Sequence, residues 1–387
     1  YHDYFSRTTG LVETLVIRMA VMPTAEMVAR DPYVVLTNGY PELPYDGTAY
    51  KGRRPSVKGF VPTGNIAAEE SRKMFTYNTM HAVYAYLGKA RKLTSIFEST
   101  QDPLVAPLAE AALEEVSEAL IGEWGFSRQD MRVWNRRVLK NMANPVLRDT
   151  IDRVGADPVR KLGRHDRLTG AALLCRAHGR LPYYLCKAIA YGLRFSNRRD
   201  PGVRRIAAYL KGHGTGAAIR EFCGLDAERE LLYLIAQHYE KAGSPDGLVE
   251  DRGRVATLKK AYERGFFYEK KHRGCAQCAL MAVFSFTGKT DKALFKAASG
   301  LSCGIAITGD GSCGGYTGGV LAMGTYVGRR FDHLRQHDKE AQYQSYDMAQ
   351  KLHDRFVETY GSVTCADIQQ VIFGRSYNLR TKAVRDR

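Results

Sequence analysis

The sequence lacks the long apolar run that a membrane-spanning helix needs. No stretch approaches 18 consecutive apolar residues, and the first seven residues carry no apolar core of the kind found in a secretory signal peptide. We therefore expect a cytoplasmic protein that neither crosses nor binds a membrane. With 387 residues, 44% of them hydrophobic and 25% charged, the chain is long enough for two or more domains with their own cores.

Two kinds of nucleotide-binding unit are also missing from the sequence. It has no recognisable nucleic-acid-binding module, and no strand with a glycine-rich turn and a helix precedes residue 73. Its net charge of +16 is nevertheless concentrated, because residues 127–211 hold 20 Lys and Arg against six Asp and no Glu. Without a nucleic-acid module, such a basic segment favours binding of a phosphorylated small molecule. The alternative is that most of these side chains only solvate the surface or pair with acids.

The segment from Lys73 to His81 carries three polar side chains at helical spacing. It lies in a helical pattern over residues 67–93, in which Lys73, His81 and Asn78 fall at about 0°, 80° and 140° around the axis. Burial lowers the pKa of a lysine amine, so Lys73 is suited to take the proton of a secondary alcohol while Asn78 and His81 hold oxygens. The alternative is an ordinary solvated helix face.

Residues 10–245 resemble the C-terminal part of the long-chain, zinc-independent polyol dehydrogenases, whose catalytic helix carries K-x-x-x-x-N-x-x-H. The later motifs of this segment resemble the mannitol-1-phosphate 5-dehydrogenase branch. The matching motifs are Ala82-Val-Tyr-Ala-Tyr-Leu-Gly88, Asn144-Pro145, Asp157-Pro-Val-Arg-Lys-Leu162 and Asp166-Arg-Leu168. The resemblance implies NAD-dependent oxidation of a polyol phosphate, of the mannitol-1-phosphate to fructose-6-phosphate type. It also implies that Lys73 is the general base and that Asn78 and His81 position substrate oxygens.

The resemblance implies an order of domains as well. Residues 1–65 correspond to the tail of a mostly missing dinucleotide-binding domain, so we expect these 387 residues alone to be inactive. Residues 66–245 correspond to an all-α catalytic domain, with predicted helices at 103–124, from 127 onward, and at 166–177, 182–195, 202–210 and 227–242. Residues 250–387 form a helical, cysteine-rich module that begins with a helix at 253–272. We therefore predict a mainly α protein with the remnant of an α/β cofactor domain.

Four basic side chains lie within eight residues, between two of the predicted helices. They are Arg160, Lys161, Arg164 and Arg167. Arginine forks match phosphate oxygens bidentately and lysine adds a mobile charge, so this loop is suited to hold a sugar phosphate against the Lys73 helix. The alternative is a salt-bridge cluster that caps helices.

Five of the eight cysteines lie in the last third of the chain, namely Cys275, Cys278, Cys303, Cys313 and Cys365. Their glycine-rich surroundings resemble the small helical family named for its C, GCAxxG, C, C pattern, which is thought to be redox-active. The chain departs from that pattern at Ala279, where the family has glycine. A second glycine-rich cysteine turn follows at Cys313-Gly-Gly-Tyr-Thr-Gly318.

Cysteines at helix N-termini have lowered pKa values and react as thiolates. The five cysteines are therefore suited to a dithiol–disulfide pair, an iron–sulfur cluster or a metal, with an unknown redox partner. They lack the two C-x2-C pairs of a structural zinc ribbon, which makes zinc the weaker reading. The alternative is inert buried thiols, and this is what we expect for Cys175, Cys186 and Cys223.

The glycines from Gly309 to Gly314 fit G-x-G-x-x-G and imitate a dinucleotide-binding fingerprint. They follow the strand-like residues 304–308 and precede a helical run, but no second strand leads to the acidic residue 18 positions further on, Asp332. We attribute these glycines to the cysteine family. A function from another class stays open: an electron-transfer or thiol-sensing protein that uses the dehydrogenase part as a scaffold.

Overall fold

A computed structural model describes residues 2–21, 23–54, 56–332 and 339–381 of the chain. It is 64% helical and 5% strand, which confirms the predicted mainly α fold. The chain forms two compact units. The first comprises Tyr1–His178, Tyr184–Gly214 and His238–Leu248, and the second comprises Gly179–Tyr183, Thr215–Gln237 and Val249–Arg387. The three domain ranges inferred from the resemblance stay a prediction.

The strands of the described residues are short and come before the candidate catalytic helix. β1 (Ala20–Val21) pairs antiparallel with β2 (Leu36–Thr37), and β3 (Leu43–Asp46) pairs parallel with β4 (Phe60–Thr63). β4 leads directly into a helix whose first turn is capped by Asn65, because its side-chain oxygen accepts the Ala68 N–H at 3.0 Å. This cap fixes where the Lys73 helix begins.

The described residues up to 177 contain ten α-helices. They are α1 (His2–Thr8), α2 (Ala25–Arg30), α3 (Ile66–Lys73), α4 (Thr79–Ala90), α5 (Ile96–Gln101), α6 (Val105–Trp124), α7 (Arg128–Met142), α8 (Ile151–Gly155), α9 (Pro158–Lys161) and α10 (Thr169–Ala177). Helix α4 packs against α5, α6 and α8. Because its sequence is apolar on nearly every side, Met80, Val83 and Leu87 are at most 1% exposed. It is the buried helix around which the first unit is built.

The helix boundaries around residue 125 are the ones predicted from the sequence. Gly125 ends α6 with a left-handed backbone (φ 72°), a conformation that glycine adopts without a steric penalty. Ser127 then caps α7, since its hydroxyl oxygen accepts the Asp130 N–H at 3.0 Å.

Three helices follow, namely α11 (Tyr183–Leu193), α12 (Pro201–Cys223) and α13 (Arg229–Lys241). Helix α12 runs past the predicted end at residue 210. It is interrupted at Gly214, whose φ of 77° and ψ of 174° are not helical. Glycine permits this break at one residue, so neighbouring turns stay helical.

The cysteine-rich part of the chain begins with the predicted helix, α14 (Arg252–His272). It continues with α15 (Cys275–Thr287), α16 (Lys292–Ala297), α17 (Gly314–Val327), α18 (Lys339–Tyr360) and α19 (Cys365–Phe373). Helix α15 lies against α14 and α17 around a small core of Leu280, Phe284, Ala298 and Ala322. Among the described helices, none combines the length and apolar character needed to cross a bilayer.

Candidate functional site

The Lys73 segment contains a π-helical turn that the sequence did not predict. Residues Met74–Asn78 form this turn between α3 and α4. Its wider i→i+5 bonding changes the angle per residue, so the regular spacing assumed between Lys73 and Asn78 is wrong. Two hydrogen bonds of the Thr76 hydroxyl stabilise the turn. The hydroxyl donates to the Arg72 carbonyl at 2.6 Å and accepts from Trp134 Nε1 at 2.8 Å. Such turns are frequent at functional sites.

Lys73 is the last residue of α3, and its side chain is half-buried. Burial, followed by the positive charge of Arg167, lowers the pKa of its amine below the usual lysine value. A neutral amine that can accept a proton is therefore available at lower pH than on an exposed lysine. This electrostatic environment is the one expected of a general base.

Arg167 is brought to Lys73 by a contact between the helix and the basic loop. Thr79 Oγ1, in the first turn of α4, donates to the Arg167 carbonyl at 2.7 Å. The Arg167 guanidinium is oriented by its neighbour, because its Nε donates to Asp166 Oδ1 at 2.7 Å. The basic loop thus contacts the Lys73 helix at this point.

His81 is fixed at both ring nitrogens. Nδ1 lies 3.1 Å from the Tyr77 carbonyl, and Nε2 lies 3.5 Å from Asp149 Oδ2. The ring also lines a small pocket together with Asn144, Pro145 and Phe97. The imidazole is thus partly accessible and has a defined orientation.

Asp149 is a candidate site residue that the sequence reasoning missed. Burial would raise the pKa of its carboxyl, but the hydrogen bond with His81 and the charge of Arg153 hold it below its usual range. Asp149 stands 68 positions after His81, so no local spacing links them. Its position four residues after the Asn144-Pro145 motif was the only available signal.

Asn78, the third polar residue of the segment, lies at the end of the π-helical turn and is partly exposed. Its Nδ2 donates to the Met74 sulfur at 3.2 Å, which is a weak interaction. Lys73, Asn78 and His81 therefore lie on one continuous helical segment, and each has a partly accessible side chain.

The basic loop is built around Asp166. Arg160 donates to Asp157 Oδ2 at 2.7 Å and to Asp166 Oδ2 at 3.2 Å, while Arg167 holds the other oxygen of the same carboxylate. The salt-bridge cluster considered as an alternative is thus present. Arg160 and Arg164 keep partly exposed side chains, and Arg167 lies deeper, next to Lys73.

Lys161 has a different environment from the three arginines. It is 7% exposed, and its ammonium donates to the Val154 carbonyl at 2.7 Å and to the Ala156 carbonyl. Burial, then the charges of Arg167 and Arg160, lowers its pKa to about 8. These bonds stabilise the chain between α8 and α9, so the geometry favours a structural role for Lys161 over a phosphate contact.

Cys275 and Cys303 are two thiols that the fold brings close together. Their sulfurs are 4.0 Å apart, and the Cys303 backbone N–H donates to Cys275 Sγ at 3.2 Å. The hydrogen bond from Cys303, which outweighs burial, lowers the pKa of Cys275 to about 6 and raises that of Cys303. A disulfide has an Sγ–Sγ distance of about 2.05 Å, so both thiols are free in this structure.

The loop that carries Cys303 has an unusual backbone. Residues Cys303, Ile305, Ala306 and Ile307 all have φ between 52° and 61°, in the left-handed region. The strand expected over residues 304–308 is therefore wrong. The loop is held by backbone bonds, including Ala306 N–H to the Gly300 carbonyl and Ile307 N–H to the Ser302 carbonyl. It aims the Cys303 amide at the Cys275 sulfur.

Two glycines allow α17 to approach Cys275. A side chain at Gly314 would lie 2.2 Å from Cys275 Sγ, and one at Gly318 would lie 2.3 Å from the Ala276 carbonyl. Helix α17 begins at Gly314, directly after Cys313, so the second cysteine turn lies against the first.

The other three cysteines of the module have raised pKa values, mainly because they are buried. The pKa is raised to about 12 for Cys278 and to about 11 for Cys365, and it is raised for Cys313 as well. Of these five cysteines, Cys275 alone has a lowered pKa. No group of three or more His, Cys, Asp or Glu in the described parts of the chain is arranged to hold a metal ion. Cys175, Cys186 and Cys223 are buried, as expected for inert thiols.

The glycines at 309–314 lie in the cysteine loop. Gly309 and Gly311 accept backbone N–H bonds from Ala366 and Cys365, which ties the loop to α19. Residues 304–308 are a left-handed turn, so the strand that a dinucleotide fingerprint requires is not there.

We therefore expect residues 1–387 to bind NAD with a dissociation constant weaker than micromolar. A pyrophosphate needs the N–H groups of a helix N-terminus behind a glycine turn, and the described residues offer no such turn after a strand. Calorimetric titration with NAD measures this directly. Micromolar binding that is lost in Gly311→Ala would contradict the prediction and identify the 309–314 turn as the cofactor site.

Comparison with known proteins agrees with this geometry. Residues 65–240 match the family described as "Mannitol dehydrogenase C-terminal domain", and residues 274–385 match "Putative redox-active protein (C_GCAxxG_C_C)". The fold is similar to that of Pseudomonas fluorescens mannitol 2-dehydrogenase in ternary complex with NAD and D-mannitol, with a TM-score of 0.52 and 16% identity, over 66% of this chain and 56% of that one. It is also similar to D-sorbitol dehydrogenase in substrate-free form, with a TM-score of 0.52 and 14% identity, over 64% and 55%.

The chain thus spans a little more than half the length of either enzyme, and at these identities the likeness concerns the fold. The assignment of the two segments therefore rests on the family matches. The two families occur along the chain in the order expected from the sequence motifs. Residues 65–240 are thus similar to the mannitol dehydrogenase C-terminal domain family, and residues 274–385 to the C_GCAxxG_C_C family.

Proposed function

We propose that residues 65–240 supply the proton acceptor and substrate-orienting groups for NAD-dependent oxidation of a secondary hydroxyl on a polyol phosphate. The reaction would be of the mannitol-1-phosphate to fructose-6-phosphate type. The observation that carries this proposal is the half-buried Lys73 amine, with its lowered pKa, beside the Arg167 guanidinium. The Lys73 amine is suited to accept a hydroxyl proton, and the Arg167 guanidinium is suited to hold a phosphate near that amine.

The roles of the side chains follow from their contacts. The neutral Lys73 amine accepts the hydroxyl proton, and Asn78 donates to a substrate oxygen. His81, oriented by the Tyr77 carbonyl and Asp149, holds a second oxygen. NAD would accept the hydride, as its presence with mannitol 2-dehydrogenase suggests. The described residues do not offer a site that fits its pyrophosphate, so none of these roles depends on a cofactor contact.

We expect Arg167→Met to raise KM for a phosphorylated polyol at least about tenfold, because a charge-assisted hydrogen bond contributes about 1.5–3 kcal/mol. KM for the unphosphorylated polyol should stay nearly unchanged. The measurement compares mannitol 1-phosphate with mannitol in a form of the protein that has a complete dinucleotide-binding domain. Arg132→Met, which removes an exposed charge from the same basic segment, is the matched control. An equal change for both substrates would refute phosphate recognition by Arg167.

For residues 274–385 we propose a dithiol that cycles with a disulfide between Cys275 and Cys303. The 4.0 Å separation of the two sulfurs supports this role, and their unequal pKa values suit one as the attacking thiolate and the other as the resolving thiol. Cys275 would attack a disulfide of the redox partner, and Cys303 would then release the mixed disulfide. The absence of a three-ligand group in the described residues makes a metal or iron–sulfur cluster the weaker alternative.

The same pair of sulfurs favours the second candidate function, in which the whole chain is a thiol-based electron-transfer or sensing protein. The dehydrogenase segment would then be a scaffold. Polyol oxidation measured before and after oxidation of the thiols separates the two. A form with a complete dinucleotide-binding domain that oxidises no polyol in either state would leave only the scaffold reading.

A further inference from the structure

Glu269 lies in the last turn of α14, outside the residues that either family match covers. Its Oε2 atom is buried and has no hydrogen-bond partner among the described residues. Leaving a buried carboxylate oxygen unpaired is costly, so such an atom calls for an explanation. Helix α14 packs along α15, which carries Cys275 at its first position, so the unpaired oxygen belongs to the surroundings of the dithiol.

The Glu269 carboxylate interacts with four thiols of the module. The pKa of Cys278 is raised first by burial and then by the charge of this carboxylate, while its S–H donates to the Arg273 carbonyl at 3.2 Å. It also acts electrostatically on Cys275, Cys303 and Cys313. The other groups that act on the Cys275–Cys303 pair are Ser302 and Cys365. Among these groups, which act on the Cys275–Cys303 pair, Glu269 is the carboxylate.

The disulfide cycle needs a proton acceptor at this place. In the reduced state the Cys303 thiol is bonded to the Cys275 sulfur, and this bond keeps its proton in place. Once Cys275 has formed a mixed disulfide, its sulfur carries no charge and no longer attracts that proton. Cys303 must still lose the proton to attack, and burial, which continues to raise the pKa of this thiol, makes that loss slow without a base.

We propose that Glu269 is the proton acceptor of the Cys275–Cys303 dithiol; this rests on the dithiol function proposed above. In this step the Cys303 S–H bond breaks and the proton passes to the free oxygen of Glu269. The Cys303 sulfur then bonds to Cys275 Sγ with its electron pair, and the partner's sulfur leaves as a thiolate with the electrons of the mixed disulfide. The partner's disulfide is the oxidant, so atoms and electrons balance.

The proposal predicts two effects of Glu269→Gln that have opposite directions. Closure of the Cys275–Cys303 disulfide should slow at least about tenfold at pH 7, because general-base losses are of this order or larger. The first attack by Cys275 should become faster below pH 7, because the loss of a nearby negative charge lowers the pKa of that thiol. A residue that only supports the fold would not separate the two steps in this way.

The test follows the reaction with 5,5′-dithiobis(2-nitrobenzoate) by stopped flow across pH 5.5–9. The attack of Cys275 releases one chromophore, and disulfide closure releases the second. Cys303→Ala identifies the second phase by abolishing it, and peptide mass confirms which cysteines are joined. Glu263→Gln is the matched control, since Glu263 lies on the same helix but pairs with Arg180 at 2.9 Å. The second phase of Glu269→Gln should slow at neutral pH and recover as the pH rises.

The outcomes separate this proposal from the dithiol function. A wild-type protein that never joins Cys275 to Cys303 would refute the dithiol function itself. A wild-type protein that does so, with an unchanged closure rate in Glu269→Gln across the pH range, would overturn the role of Glu269 alone. If the Gln variant fails to fold, Glu269→Asp takes its place. It keeps the carboxylate on a shorter chain and should close more slowly than wild type, and an unchanged rate would again overturn the proposal.

Discussion

Replacing Lys73 with alanine should lower kcat for polyol oxidation by at least about 100-fold, in line with the loss of a general base. The amine is half-buried at the start of a π-helical turn, and its lowered pKa makes it the available proton acceptor of the Lys73–His81 segment. The assay uses NAD and a form of the protein with a complete dinucleotide-binding domain. Circular dichroism should report an unchanged fold, because the side chain takes no part in the core.

The pH dependence of kcat provides a second test of Lys73 as the general base. A lysine acts as a base only when it is neutral, so kcat should rise with pH as Lys73 loses its proton. Because its pKa is lowered, this rise should come at lower pH than the usual lysine value of about 10.4. Lys89→Ala is the matched control, since Lys89 lies further along the same segment but pairs with Asp152 at 2.6 Å. A near-normal kcat in Lys73→Ala would remove Lys73 from the mechanism.

Cys275 should be alkylated at pH 7 at least about 100-fold faster than Cys278 or Cys365. With a pKa of about 6, Cys275 is mostly thiolate at this pH, whereas thiols with pKa values of about 12 and about 11 are almost fully protonated. Labelling of the native, reduced protein, followed by peptide mass, measures each cysteine separately. Cys175, Cys186 and Cys223 should react slowly because they are buried.

The control for this prediction is Cys303→Ala. The hydrogen bond from Cys303 is the largest cause of the lowered pKa of Cys275, so its removal should raise that pKa and slow the labelling of Cys275. Iron and zinc contents are determined on the same sample. Uniformly slow labelling without metal would mean that the cysteines are structural, and the dithiol proposal would fall while the dehydrogenase proposal stood.

The sequence predicted best those features that depend on neighbouring residues. Gly125 and Ser127 mark the end of one helix and the start of the next through local backbone and capping chemistry, and both boundaries were predicted. Local signals of this kind act over a few residues, so they are visible in a single sequence.

Features that depend on distant residues were not predictable in this way. The π-helical turn is held by Trp134, 58 positions after Thr76, and His81 is oriented by Asp149. Lys161 looked like a phosphate ligand from its neighbours, but two backbone carbonyls enclose its ammonium. In each case a tertiary contact decides between local alternatives that the sequence leaves equal.

The strand-like residues 304–308 show the same limitation most clearly. Ile305 and Ile307 are β-branched residues that favour extended backbone, and their pattern predicted a strand. Backbone bonds to Gly300 and Ser302 instead hold them in the left-handed region. These backbone hydrogen bonds outweigh the preference of the two isoleucines for extended backbone. The turn that they form cannot be predicted from the pattern of side chains.

That left-handed loop also has a stereochemical consequence. For L-amino acids each residue in this conformation costs about 1–2 kcal/mol, because its Cβ approaches the following carbonyl oxygen. The sense of handedness is therefore inverted over Ile305, Ala306 and Ile307. A D-amino acid would fit this part of the chain with less repulsion than the residue encoded there. The orientation of the Cys303 amide toward Cys275 is thus maintained by a segment whose local geometry is the mirror image of an ordinary helical turn.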